Sequence, residues 1–497
     1  MKKTDTTNSA RVSFHDNRDL EQIVDLDLAY GPVEKIGPLM SADRPSDLGY
    51  MCCFAGTVAP LDDGRWRLYH SVYGQGSRIA VAESADGLRW DKPALGQNPW
   101  QGQDTNHLRI EGLDAAEGII QPQVVRLDDG GWRIYFWLHG WDRGMVRFVA
   151  ADSADGLHFR VRNVDRPCLF HPMDREVGGV SWTAGLVPGA EGNGKFDHLR
   201  TYDFMEAKRL RSNDATFVYR DPRTGEFEMY SVWLMPNDAG TGCQVSFDNA
   251  PGARRTLHRR TSEDGLAWSD PELILTPDEH DPRHMQFYHL AVHRAGDWRI
   301  GLLGHYRCWE QTMDMELAFS RDGRHWLRPL RGGWIPRGGP DAIDAMSIYP
   351  TSRFINLPDG RLLLLYDGHN QRHDGKLPDG VTEKRRAVMG AVCRPGRFAG
   401  LATRPRTVGR ITLKPFILGS DEIRVDADIR GSVLAELCDP YGRPLPGYGM
   451  AESVPLIGDS DAHVLRWQGD RTPAPYRYDA VMLVLEAKDA TVYGVER

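Results

Sequence analysis

Paired cysteines, an excess of positive charge and long apolar runs are all missing from this sequence, and each absence excludes a class of protein. The seven cysteines include one adjacent pair, Cys52 and Cys53, and otherwise stand alone without C-x-x-C spacing. A disulfide framework or a zinc knuckle is therefore not expected. A formal net charge of -8 offers no basic face, so no nucleic-acid partner is expected. No run of 18 apolar residues occurs, so no membrane-crossing helix is expected either. Met1 to Arg18 is polar and lacks the apolar segment of a secretory signal, which points to a cytoplasmic location. The histidines show neither H-x-H nor H-E-x-x-H spacing, so no metal ligands are assigned.

Turn residues are abundant, with 52 glycines and 31 prolines, and helical periodicity is scarce. Only Met205 to Arg211 reads as a short helix. Repetition is the strongest signal. Ser84 to Trp90 (SADGLRW) recurs as Ser153 to Phe159 (SADGLHF), Ser262 to Trp268 (SEDGLAW) and Ser320 to Trp326 (SRDGRHW), each after an apolar, strand-like run. A degenerate fifth copy is Cys393 to Phe398. The pattern predicts a turn in which Asp caps amides, Gly takes positive φ and the aromatic residue folds back between sheets.

A hairpin signal precedes every copy, at Gly64, Gly130, Gly225, Gly296 and Gly360. Five such units predict an all-β fold: a five-bladed β-propeller followed by a C-terminal β-sandwich. We place a lead-in segment at 1–49, the propeller at 50–405 and the sandwich at 406–497. A long insertion at 161–212 is expected to cover the mouth of the central funnel, with Trp182 reaching it.

The five repeated units, the TLKPF segment that opens the last module and its LCDPYGRPLPGYG stretch resemble the family 32-like glycoside hydrolases. The wider superfamily, with families 43, 68 and 117, cleaves fructosides, arabinosides, xylosides and anhydro-galactosides. The resemblance implies a carbohydrate substrate, and its family 43 members can hold a structural calcium on the axis. The departures are specific. Family 32 enzymes carry an Asn-Asp-Pro-Asn-Gly-like motif on the first inner strand, where this chain has Met51-Cys52-Cys53-Phe54-Ala55-Gly56. Their second blade has Arg-Asp-Pro against Gln121-Pro122-Gln123 here, and their Glu-Cys-Pro motif is absent. Fructoside specificity is accordingly not expected.

Glycoside hydrolysis needs two carboxyl groups, one protonated and one ionised. The acids at the starts of the inner strands are Asp47, Glu117, Asp214 and Asp344; Asp214 and Asp344 are read as the catalytic pair. Asp47 could instead cap a turn, and Glu117 could belong to a solvated loop. Asp341, His139, Trp141, Trp182, His289, His305, Arg307 and His369 are the candidates for substrate contacts. The reading is an exo-acting glycoside hydrolase. A phosphorylase or transglycosylase, with phosphate held by Arg307, Arg353 and Arg372, and a non-catalytic carbohydrate-binding propeller are the alternatives.

Overall fold

The computed structural model describes residues 11–74, 76–114, 117–140, 144–171, 174, 210–212, 215–236 and 253–497. Among these residues the chain is all-β, with short 3-10 turns and no α-helix. Trp141, Trp182 and Asp214 lie outside the described residues, as do most of the insertion and most of the expected helix. The chain divides into two compact units: one of 1–32, 327–330 and 393–497, the other of 33–326 and 331–392.

The larger unit holds five mainly antiparallel groups of strands in chain order, the last two joined in one seven-stranded sheet. The first has strands Tyr50–Pro60, Trp66–Tyr73 and Arg78–Ser84. The second is built on Gly118–Arg126, Trp132–Gly140, Met145–Ser153 and Phe159–Val161. The third has Phe217–Arg220, Phe227–Pro236, Ala253–Ser262 and Glu272–Leu275. Met285–Ala295, Trp298–Arg307 and Thr312–Ser320 make the fourth. The fifth runs Ser347–Asn356, Leu362–His369, Arg386–Cys393, and a single parallel bridge, Met313 to Ser347, joins it to the fourth. Its outermost strand is Glu34–Met40, taken from the segment expected to be a lead-in.

The first strands of these sheets are their inner strands. Tyr50–Pro60 packs against both Gly118–Arg126 and Ser347–Asn356, Gly118–Arg126 also touches Phe217–Arg220, and Met285–Ala295 touches Ser347–Asn356.

The repeated turn forms as its sequence dictates. In the third copy Ser262 Oγ accepts the Gly265 N–H (2.8 Å), while Asp264 Oδ1 accepts those of Leu266 (2.8 Å) and Ala267 (2.9 Å). The other three copies repeat these bonds. Backbone amides hold the first aspartate's carboxyl down at about 2. Gly265 has φ 70, and a Cβ there would sit 2.4 Å from the hydroxyl of Tyr135, which donates to the Gly265 carbonyl (2.9 Å). Tyr69 grips Gly156 in the same way (2.8 Å). The turn of one sheet thus docks on the second strand of the sheet before it. Glycine is required there both for its φ and for the close approach.

In the smaller unit nine strands are linked through hydrogen bonding into one sheet. Its spine is Ala480–Glu496, paired along its length with Arg424–Cys438. Arg424–Cys438 runs as one strand, bent by an irregularity between Ile429 and Ser432. Leu456–Val464 pairs on the other edge of Arg424–Cys438. Leu20–Val24 and Leu26–Tyr30 pair with Val408–Leu413 and Ala399–Thr403, so N-terminal residues complete this unit. Its core gathers around Trp467, Leu483 and Val425.

Candidate functional site

Four inner strands carry a bulge at a matching depth. Pairing slips between Cys52 and Thr57, between Ile120 and Gln123, between Phe287 and Leu290, and between Pro350 and Phe354. Ala55 and Gln121 take positive φ within the first two of these. Bulges re-aim side chains and free backbone groups from the ladder. Gln123 takes up some of them: its Nε2 donates to the Ala55 carbonyl (2.5 Å) and its Oε1 accepts from Val218 N (3.3 Å).

At this level Phe54 meets Phe217, Tyr288, His289 and Tyr349, with centroids 5.1–6.2 Å away. Three different sheets therefore converge on one ring from the first. Toward the starts of the inner strands the lining becomes polar and aromatic. Tyr349 Oη lies 2.7 Å from His373 Nδ1, and the His373 ring packs on Tyr288 (4.9 Å) and Tyr306 (4.6 Å). Arg255 sits over Tyr288 and Tyr306 (5.2 and 5.6 Å) and donates to Gln286 (2.8 Å). His369 packs against Tyr349 (5.2 Å) and Tyr50 (5.7 Å), and Arg386 covers Tyr50 (3.8 Å).

Among the described residues one carboxylate belongs to this cluster. Asp367, 1% exposed, accepts from Cys52 Sγ (2.9 Å) and from the bulge N–H of Phe54 (2.8 Å). Burial pushes its carboxyl above the ordinary range, against the downward pull of these donors. Burial, reinforced by Arg386 and His373, holds His369 neutral, and burial pushes His289 down to about 3. The Cys52 thiol is pushed well up by burial and by Asp367, so it is a donor here and not a thiolate.

The residues singled out in the sequence fall in several places. His289 and His369 lie in the cluster. His305 and Arg307 pair instead with Glu316 (3.0 Å) and Asp314 (3.3 Å) on the neighbouring strand. His139 is half-buried, pushed down to about 4 by desolvation. Asp341 is exposed, and its carbonyl accepts from Arg385 (2.6 Å). Asp344 is buried, with Lys35 at 2.7 Å, Tyr366 Oη at 2.9 Å and the Gly338 N–H at 3.2 Å. Asp47 is fully buried and takes Lys92 Nζ (2.7 Å) and the N–H groups of Asp43 and Arg44 (3.0 Å each). Glu117 accepts from the Asp114 N–H (3.1 Å) and lines a cavity of about 490 Å³ with Arg78 and Asn98. Among the described residues no group of three or more His, Cys, Asp or Glu is placed to hold a metal.

No family model and no curated protein matches this sequence. Loosely similar solved structures include an N-acetylgalactosamine deacetylase from F. plautii in complex with blood group B trisaccharide, 15% identical, with 76% of this chain and 97% of that one covered at a TM-score of 0.45. A thermostable family-43 glycoside hydrolase is 14% identical over 73% of this chain and 93% of its own, TM-score 0.40. A β-1,2-mannobiose phosphorylase from Listeria innocua is 11% identical over 74% and 98%, TM-score 0.41. Likenesses this distant leave the chemistry to be read from the residues.

Sequence reasoning missed Tyr50, Phe54, Arg255, Tyr306, Tyr349, Asp367, His373 and Arg386. Two signals were present: Asp367 stands two residues before a chosen histidine, and Phe54 lies in the segment noted only as a departure from the family pattern.

Proposed function

We propose that the five sheets are the blades of a five-bladed propeller and that the chain is a glycoside hydrolase acting on a terminal sugar. The convergence of Tyr50, Tyr288, Tyr306, Tyr349, His369, His373 and Arg255 at the starts of the inner strands carries this reading. Such a lining offers ring faces for the apolar side of a sugar and hydrogen-bonding tips for its hydroxyls. Trp309 extends it: 56% exposed, it lies flat on His284 (5.0 Å, 8° between planes) in the loop after Trp298–Arg307. A face of this kind suits a sugar ring at the rim.

For the carboxyl pair we propose Asp367 as the general acid and Asp214 as its ionised partner. Burial raises the Asp367 carboxyl, as an acid that must stay protonated requires. Asp214 is chosen from its place in the sequence, ahead of the third inner strand. Asp344 is not retained, because Lys35 and Tyr366 already take up its carboxylate. Asp367→Asn and Asp214→Asn should each cut release of reducing sugar from a panel of aryl glycosides and oligosaccharides by about 10²-fold or more. Phosphate should not be required; a strict requirement would favour a phosphorylase. Turnover in Asp367→Asn within a few-fold of wild type would remove Asp367 from the chemistry.

A further inference from the structure

The opposite ends of the inner strands enclose a second site. Pro60, Arg126, Arg220, Arg294 and Asn356, at or next to the last residues of all five inner strands, line a cavity of about 460 Å³. It lies at the other end of these strands from the aromatic cluster. Three of its arginines have acidic partners: Arg126 pairs with Asp62 (2.8 Å), Arg220 with Asp128 and Arg294 with Asp221. Asp62 and Asp128 are exposed to solvent, which weakens their hold. Of the two acids in the lining, Asp221 is spoken for, and Glu228 is held by Arg259 (3.0 Å) and Arg299 (2.6 Å).

Arg353 differs from the other three. Half-buried, it has no side-chain hydrogen bond and no ion pair among the described residues. Its electrostatic neighbours are His293, which burial and Arg353 keep uncharged, and Tyr219, whose hydroxyl is already committed to Ser352 O (3.2 Å) and the Val292 N–H (2.6 Å). Partial burial pushes the guanidinium below its ordinary range, as expected of a cation that has gained no counter-charge. The sequence had grouped Arg353 with Arg307 and Arg372. Pairing separates them: Arg307 lies opposite Met285 at the start of the fourth inner strand, and Arg353 lies near the end of the fifth.

We propose that this cavity is a binding site for a tetrahedral oxyanion, phosphate or sulfate, free or as the ester of a sugar, with Arg353 as the primary ligand. A guanidinium presents paired N–H donors that match such an anion, and the surplus of arginine over available carboxylate sets the sign of the field. The volume leaves room for an attached sugar.

Titration calorimetry and thermal melts of the whole protein test this with sodium phosphate, sodium sulfate, glucose 6-phosphate and glucose, against sodium chloride at matched ionic strength. Phosphate or glucose 6-phosphate should raise Tm saturably, and glucose and chloride should not. Tighter binding of glucose 6-phosphate assigns a phosphorylated sugar; equal binding assigns the free ion. Arg353→Met should weaken binding at least roughly tenfold, the scale of losing a bidentate pair, whereas Arg307→Met should leave it unchanged. In anion-free buffer Arg353→Met should melt no lower than wild type, since it removes an uncompensated charge. A wild type without saturable response, an Arg353→Met variant that binds as wild type, or one that melts lower without anion would each overturn the assignment.

Discussion

Asp47 separates a structural carboxylate from a catalytic one, and the geometry gives the expected size of the effect. Its carboxylate is completely buried at the end of the turn Pro45–Asp47, and the Lys92 side chain that it meets is 4% exposed. Asp47→Asn preserves shape and can still accept from the Asp43 and Arg44 amides, but it removes the charge. Lys92 then keeps only the Ser41 carbonyl (2.9 Å) and Asp43 (2.5 Å), whose own side chain is largely in water. Breaking a buried pair from one side costs about 3–5 kcal/mol, and the surviving contacts point to the lower end, about 3 kcal/mol. For a unit extending from Val33 to Val392, that corresponds to roughly 4 °C in Tm. Calorimetric melts and urea titrations would read it, and turnover at 25 °C should change little. The double variant Asp47→Leu, Lys92→Met should recover most of the loss, because an apolar pair leaves no stranded charge. An Asp47→Asn protein that melts within roughly 1 °C of wild type yet loses turnover would refute the structural role, since the pair would then be worth far less than burial implies.

Three further outcomes are expected. Burial holds His70 and His107 down at about 4, and His258 and His289 at about 3, all below the ordinary value of 6.5. Below pH 6.5 the unfolded chain binds protons that these folded sites refuse. Stability is therefore complete above 6.5 and falls with pH toward 4, each site costing on the order of 2 kcal/mol at pH 5. Urea midpoints measured from pH 7.5 to 5 would check the sign, and a flat or rising profile on acidification would contradict it. Gly265→Ala should destabilise by about 1–3 kcal/mol in chemical denaturation, because φ 70 and the 2.4 Å approach of Tyr135 both oppose a methyl group. Trp309→Ala should raise KM for an oligosaccharide by roughly tenfold, the scale of a lost aromatic contact, with melting unchanged; an unchanged KM would remove Trp309 from the binding surface.

The turns were legible in the sequence because their determinants are local. In Ser262 to Trp268 the serine, the aspartate and the glycine lie within four residues, and the hydrogen bonds that define the turn run among those same residues. The hairpin signals likewise fall at turns between paired strands, since strand and turn preferences act over a few residues. The expected lead-in was harder to read, because Glu34–Met40 and Leu26–Tyr30 find their partners more than 300 residues away. Their sequences hold no trace of which edge they complete.

The site depended on tertiary structure throughout. Phe54 and Tyr288 lie within bulges and meet Phe217 and Tyr349 from other inner strands, and no spacing in the sequence records how a bulge re-aims a side chain. The ionic roles were equally non-local. Asp47 and Asp344 stand ahead of inner strands, as catalytic acids would, but Lys92 and Lys35 arrive from other parts of the chain and take up their charge. Arg353 and Arg307, alike in sequence, are sent to the levels of opposite ends of the inner strands by their positions within strands of ten residues each. Local preference decides whether a segment is a strand or a turn. Whether a buried charge is neutralised, stranded or poised depends on what packs against it, and only the folded chain decides that.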